Sequence, residues 1–172
     1  MDMPPLIVTL EPDAGSRALF DALRRAHFPP ERLVVDAHVT VFHALPGEEI
    51  DTVADVLART AATTPSLCFV AETPAPLSRR GVAIPIACPS ARDVKRRLLD
   101  EFAFALTPQD RGGMRPHVTV QNKVDPETAA ATLAHLRAGW VPHTGRFEGL
   151  ALWRYRGGPW EAVADWRLSG DA

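Results

Sequence analysis

The chain has 172 residues, of which 46% are hydrophobic and 23% charged, and its formal net charge is −2. This length and composition are typical of one soluble globular domain. The near-neutral charge excludes a global attraction to nucleic acid, and no apolar run approaches the roughly 18 residues of a membrane span, so no membrane partner is expected.

The first half of the chain is predicted to alternate strands with amphipathic helices. Its expected elements, in chain order, are a strand near 5–11, a helix over 13–26, a strand over 38–45, a helix over 48–62, and a hairpin of strands 67–75 and 82–88. Apolar residues at positions 19, 20 and 23 follow the period of a helix. The turn of the hairpin is predicted at Ser78–Gly81, where glycine favours a tight reversal.

The second half is predicted to follow the same plan. Its expected elements are a helix over 91–106, a strand over 116–124, a helix over 126–138, and a hairpin of strands 146–155 and 160–168. Strands outnumber crossover units, which predicts the α+β class. We expect a bilobal fold with two largely antiparallel sheets, helices outside and a groove between the lobes.

A duplication explains this shared plan. The tetrapeptide His38–Val41 recurs at His117–Val120, and the offset is 117 − 38 = 79 residues. The same offset aligns Glu48 with Glu127, each at the predicted start of a helix, where acidic residues are favourable. The repeat predicts a single domain over 1–172 made of two pseudo-symmetric lobes.

The repeated His-x-Thr motif carries the candidate chemistry. Side chains alternate along a strand, so His38 and Thr40 share one face, as do His117 and Thr119, while the valines point to the core. Two such pairs converging on one groove suit a phosphodiester. One imidazole removes a proton from the attacking oxygen and the other protonates the leaving oxygen. The threonine hydroxyls hold the non-bridging oxygens, so neither a metal nor another cofactor is required.

These motifs resemble the 2H phosphoesterase superfamily, which includes 2′-5′ RNA ligase-like proteins and cyclic phosphodiesterases. The segments His38–His43, Pro116–Lys123 and Leu152–Trp160 look like its short bacterial branch. The resemblance implies metal-independent attack on 2′,3′-cyclic phosphates or 2′-5′ phosphodiester bonds of RNA or nucleotides. It implies that both histidines and both threonines are catalytic, and it favours His117 as the base that activates water. The expected partner is a nucleotide or short RNA with a cyclic or 2′-linked phosphate, bound by a monomer.

Four further residues are candidate substrate contacts. Arg79 and Arg154 lie at or beside matching hairpin turns. Each can bind a phosphate of the substrate, or can serve only as a charged residue that keeps the turn in solvent. Arg115 stands two residues before His117, so an early strand start would put both on one face. Tyr155 is the only tyrosine in the chain and can stack on a base.

Other residues are predicted to be structural. Alternation from His38 places His43 on the opposite face of its strand. Trp153 and Trp160 are expected to pack in the core. The two cysteines, Cys68 and Cys88, have no metal-type spacing, and we expect reduced thiols in a cytoplasmic protein.

Three alternatives stay open from the sequence alone. The chain can be a non-catalytic RNA- or nucleotide-binding module that keeps the groove, or it can run the same chemistry towards RNA ligation. The pseudo-symmetry also leaves the acid and base roles of the two histidines undecided. Product formation from a defined substrate separates catalysis from binding alone.

Overall fold

The computed structural model describes residues 3–170, so the two residues at each end of the expected domain 1–172 lie outside the described residues. The element order strand–helix–strand–helix–strand–strand occurs twice, with one short extra helix, α4, in the second half. The elements are β1 (Leu6–Pro12), α1 (Ala14–His27), β2 (Val39–Leu45), α2 (Ile50–Ala62), β3 (Leu67–Ala71), β4 (Ala75–Pro76), β5 (Val82–Ala87), α3 (Pro89–Glu101), α4 (Pro108–Arg111), β6 (His117–Gln121), α5 (Pro126–Gly139), β7 (His143–Tyr155) and β8 (Trp160–Arg167).

Two elements are shorter in the structure than the sequence predicted. The helix expected to reach residue 106 ends at Glu101, and Thr107 instead caps the four-residue helix that begins at Pro108. The strand expected over 67–75 stops at Ala71, and only a two-residue strand follows Pro74.

The strands confirm the α+β class and the antiparallel pairing. They form one continuous path, β2-β1-β7-β3-β5-β6, with β8 paired to β7 and β4 to β5. The expected two sheets are joined because β7 is 13 residues long. Its first part pairs with β3, and its later part pairs with β1 on one edge and with β8 on the other.

This sheet is nearly closed. The two end strands of the path, β2 and β6, approach each other, yet within residues 3–170 β2 pairs only with β1 and β6 only with β5. Unpaired strand edges leave backbone groups without partners. On both strands, buried side chains satisfy such groups instead of a neighbouring strand.

The partners of the β2 edge are Asp110 and Lys95. The Asp110 carboxylate accepts hydrogen bonds from the amides of His43 (2.9 Å) and Ala44 (3.0 Å). The Lys95 ammonium donates to the carbonyl of Val41 (2.8 Å). Asp110 and Lys95 are almost fully buried. Burial lowers the pKa of Lys95 to about 8, although the nearby Asp110 opposes this shift.

A single hydrophobic core spans both halves of the chain. Helix α1 belongs to the first half by sequence but packs against β6 of the second half as well as against β7. Its start is fixed by Asp13, whose side chain accepts from the amide of Ser16 (2.9 Å). None of the described helices is long and apolar enough to cross a membrane.

Candidate functional site

The two His-x-Thr motifs lie at the starts of the two strands that end the sheet: His38 immediately precedes β2, and His117 is the first residue of β6. In both motifs the valines are buried in the core, whereas the histidine and threonine are partly exposed. This alternation is the one predicted from the sequence. The strands that carry the two motifs approach each other without pairing within residues 3–170.

Both motif histidines are anchored in the same way. The ring Nδ1 of His38 lies 2.7 Å from the carbonyl oxygen of Asp36, and that of His117 lies 2.8 Å from the carbonyl oxygen of Arg115. Each anchoring carbonyl is two residues before its histidine. A carbonyl oxygen can only accept, so Nδ1 carries the proton in both rings. The neutral form of each imidazole therefore has its lone pair on Nε2, which is available for proton transfer.

His38 lies in a packed environment. Its ring centroid is 4.8 Å from that of Trp160, and the two ring planes are tilted by 45°. Burial lowers the pKa of His38, the bond to the carbonyl of Asp36 raises it, and the positive charge of Arg24 lowers it further. The net shift is downward, so His38 is neutral near pH 7.

The two tryptophans line this region, and the prediction that they pack in the core is wrong. Trp153 and Trp160 are partly exposed, with ring centroids 6.1 Å apart. The indole Nε1 of Trp153 donates to the hydroxyl of Thr9 (2.8 Å), and Thr9 faces Thr40 across the β1–β2 pair. Both tryptophans lie on the β7–β8 hairpin, Trp153 in β7 and Trp160 at the start of β8.

An open cavity of about 440 Å³ adjoins the tryptophans on the same sheet. Trp153 lines it, while Trp160 contacts His38, so the two rings connect the cavity with the first motif. Charged residues of both signs, Glu11, Arg17 and Arg167 among them, line part of its wall, and apolar residues of β7 and β8 line much of the rest.

His43 does not lie where alternation places it. The register of β1 and β2 shifts between Val8 and Thr9, and Val41 and Phe42 are both buried. This bulge reverses the alternation after Val41, so His43 lies on the exposed side of the strand. The sequence instead predicts that His43 faces away from Thr40. Its Nδ1 lies 3.0 Å from the carboxylate of Asp110. The role of His43 in the structure is therefore to help hold Asp110.

The arginines of the hairpin turns occupy different surroundings. Arg154 and Arg156 both form ion pairs with Glu161, which neutralises much of their charge. Arg79 is exposed in the turn after β4 and lines a depression next to α5. These contacts do not test a role in substrate binding, which stays a prediction for Arg79 and Arg154.

The two remaining candidates lie nearer to the motifs. Arg115 is exposed, and its main-chain carbonyl is the group that anchors His117. Tyr155 is 39% exposed and faces Trp160 across the β7–β8 pair. Sequence reasoning missed Thr9, Arg24 and the carbonyl anchors, although the 79-residue offset relates Asp36 to Arg115 and could have indicated a shared function.

A nearly closed antiparallel sheet with a His-x-Thr motif on each end strand is the architecture of a two-histidine phosphoesterase fold. The family model of the 2′-5′ RNA ligase superfamily matches residues 11–159 of this chain. The chain therefore belongs to the 2′-5′ RNA ligase superfamily, a group of 2H phosphoesterases. No curated protein matches it.

Solved structures share the fold over almost the entire chain. Escherichia coli LigT complexed with NADP⁺ has a TM-score of 0.65 at 17% identity, and LigT complexed with 3′-AMP has 0.64 at 18% identity. Both matches cover 98% of this chain and 99% of the other. The protein TT0787 of Thermus thermophilus has a TM-score of 0.58 at 18% identity, covering 98% and 100%. These likenesses establish the fold.

Proposed function

We propose that this protein is a metal-independent phosphoesterase that acts on 2′,3′-cyclic phosphates or 2′-5′ phosphodiester bonds of nucleotides or short RNA. His38 and His117 exchange protons with the substrate, and Thr40 and Thr119 hold the phosphoryl oxygens. The observation that carries the proposal is the paired anchoring of both imidazoles. Each ring has its Nδ1 fixed by the main-chain carbonyl two residues before it and its Nε2 available, at the start of each of the two end strands.

The lowered pKa of His38 favours one assignment of the acid and base roles. A general base starts neutral, and burial lowers the pKa of His38. We therefore assign the base to His38 and the acid to His117, the reverse of the assignment that the resemblance favours.

In hydrolysis of a 2′,3′-cyclic phosphate, Nε2 of His38 takes a proton from water while the water oxygen bonds to phosphorus. The bond from phosphorus to one ribose oxygen breaks, and His117 gives its proton to that oxygen. The hydroxyls of Thr40 and Thr119 donate to the non-bridging oxygens as negative charge grows there.

The proposed substrate class has two supports. The LigT crystal structures, which share this fold, were solved with 3′-AMP, ATP and NADP⁺, all of them nucleotides. In this chain, the partly exposed Trp160 beside His38 offers an aromatic surface near the reacting groups, and aromatic faces bind bases by stacking.

The 79-residue repeat accounts for both motifs in one site of a single domain over 1–172. We expect a monomer, and the free cysteines Cys68 and Cys88 suit a reducing cytoplasm.

The test is incubation with 2′,3′-cyclic nucleotides, 2′-5′ oligonucleotides and ADP-ribose cyclic phosphate, with identification of the products. The proposal predicts hydrolysis of at least one of them and loss of that activity in His38→Ala and His117→Ala. His135→Ala is the matched control, because His135 is an exposed histidine on α5. Tight nucleotide binding without any product would favour a binding module, and accumulation of joined RNA ends would favour ligation.

A further inference from the structure

Arg24 links β6 to the loop that leads into β2. It lies on α1 and is only 5% exposed. Its Nη1 donates to the carbonyl of Thr119 (2.7 Å), inside the second motif, and its Nη2 donates to the carbonyl of Val35 (2.8 Å). Val35 immediately precedes the residue whose carbonyl anchors His38. One guanidinium therefore contacts both halves of the candidate site.

The position of Arg24 fits the gap in the sheet. A sheet whose end strands approach each other gains hydrogen bonds by closing, yet β2 and β6 stay unpaired. Arg24 donates a hydrogen bond to a carbonyl of β6. On β2, Lys95 donates to a carbonyl and Asp110 accepts from an amide. The contacts cross between the halves, because α1 supplies the cation for β6 and α3 supplies the one for β2.

We propose that Arg24 is a positioning residue that sets the separation and relative orientation of the two His-x-Thr motifs by holding one carbonyl from each side of the site. Its kinetic consequence rests on the function proposed above, whereas its effect on strand geometry does not. The planar guanidinium donates in two fixed directions, so it defines a distance between the two carbonyls. A lysine at this position keeps the charge, but its single ammonium cannot donate to both carbonyls in the two fixed directions of the guanidinium.

Arg24 also has an electrostatic effect on His38. Its positive charge opposes protonation of the imidazole and lowers the pKa of His38, as does Arg17, while Glu11 raises it. Asp21 and Asp36 face Arg24 and stabilise its charged form against burial. The charge and the geometry of Arg24 can therefore be separated by choosing the substitution.

The experiment compares Arg24→Lys and Arg24→Met with Arg25→Lys and Arg25→Met in the full chain. Arg25 is the adjacent residue of α1 and is exposed, so it is a matched control. The measurements are kcat, KM and the pH profile on the best substrate of the wild type. Heteronuclear NMR follows the Thr119 amide and the titration of His38 without requiring any activity.

For Arg24→Lys we expect kcat to fall about 10- to 100-fold with KM nearly unchanged, since a misplacement of about 1 Å can cost 10²-fold. The Thr119 amide signal shifts, and the titration of His38 stays close to that of the wild type. Arg24→Met loses the charge as well, so the titration of His38 also moves to higher pH. Both Arg25 variants behave as the wild type. If Arg24→Met does not fold, the same measurements on Arg24→Lys alone test the proposal.

The proposal is overturned if Arg24→Lys keeps wild-type kcat and an unshifted Thr119 amide. It is also overturned if the NMR changes spread evenly through the core and kcat falls only with the folded fraction, because that pattern marks a purely structural residue. If the wild type turns over no substrate, the proposed function fails, while the Thr119 and His38 signals still decide whether Arg24 positions the two strands.

Discussion

Replacing Asp110 with Ala removes the buried carboxylate that satisfies the free edge of β2. The side chain accepts from the amides of His43 and Ala44 and from the His43 ring, and it faces the buried Lys95. Burial alone raises the pKa of Asp110, but the hydrogen bonds from His43 and Ala44, together with Lys95, lower it to about 2. The carboxylate is therefore ionised and doubly anchored throughout the neutral range.

The loss of stability is expected to be large because the amides of His43 and Ala44 lose their acceptor and the buried Lys95 loses the nearby negative charge, and nothing replaces the carboxylate. Leaving the amides of His43 and Ala44 and the nearby Lys95 charge without this buried carboxylate costs about 3–5 kcal/mol in the free energy of unfolding. At about 2–4 °C per kcal/mol for a chain of this size, Tm falls by about 6–20 °C. Asp93→Ala is the control, since Asp93 pairs with Arg96 on the surface of α3 and contributes less than about 1 kcal/mol.

Thermal and urea unfolding, followed by circular dichroism, measure the difference at several pH values. The folded pKa of Asp110 lies below its ordinary value of 3.8, so its contribution is complete above about pH 4 and is lost as the pH falls towards 2. The gap in stability between wild type and Asp110→Ala should therefore narrow over that window. A variant as stable as Asp93→Ala at pH 7, or a gap that does not change with pH, refutes the reasoning.

Three further predictions concern the proposed chemistry. His38→Ala and His117→Ala each lower kcat by about 10²–10⁴-fold, and the double variant loses less than the product of the two losses. The bell-shaped profile of kcat/KM loses its acid limb in His38→Ala and its alkaline limb in His117→Ala; the opposite pattern reverses the two roles. Thr40→Ala and Thr119→Ala lower the rate without moving either limb, whereas a limb shift in either variant contradicts a purely hydrogen-bonding role. Turnover by the dialysed enzyme persists in EDTA, and restoration of a lost activity by zinc or manganese would rule out a metal-independent reaction.

Local sequence patterns predicted most of the elements and the two motifs. Apolar spacing located the helices, and strand alternation correctly separated His38 and Thr40 from the buried Val39 and Val41. The repeat placed His117 and Thr119 in the equivalent position. Helix spacing and strand alternation depend on neighbours within a few residues, and the repeat is visible in the residue identities, so the sequence carries all three directly.

Longer-range features were not predictable in the same way. A register shift of β2 against β1 moved His43 to the exposed side, and no residue type in β2 indicates this shift from the sequence. Arg24 and Asp110 were missed because their partners lie up to 95 residues away in the chain. Trp160 was misjudged because only the folded hairpin shows that its ring lies against His38.

A crystal structure with bound inorganic phosphate, and a second with 3′-AMP, test most directly whether the two motifs form one site. We expect one phosphate group within hydrogen-bonding distance of Nε2 of both His38 and His117, with the hydroxyls of Thr40 and Thr119 donating to its oxygens. A phosphate that contacts only one motif, or that binds only in the cavity beside Trp153, would contradict a shared reaction centre.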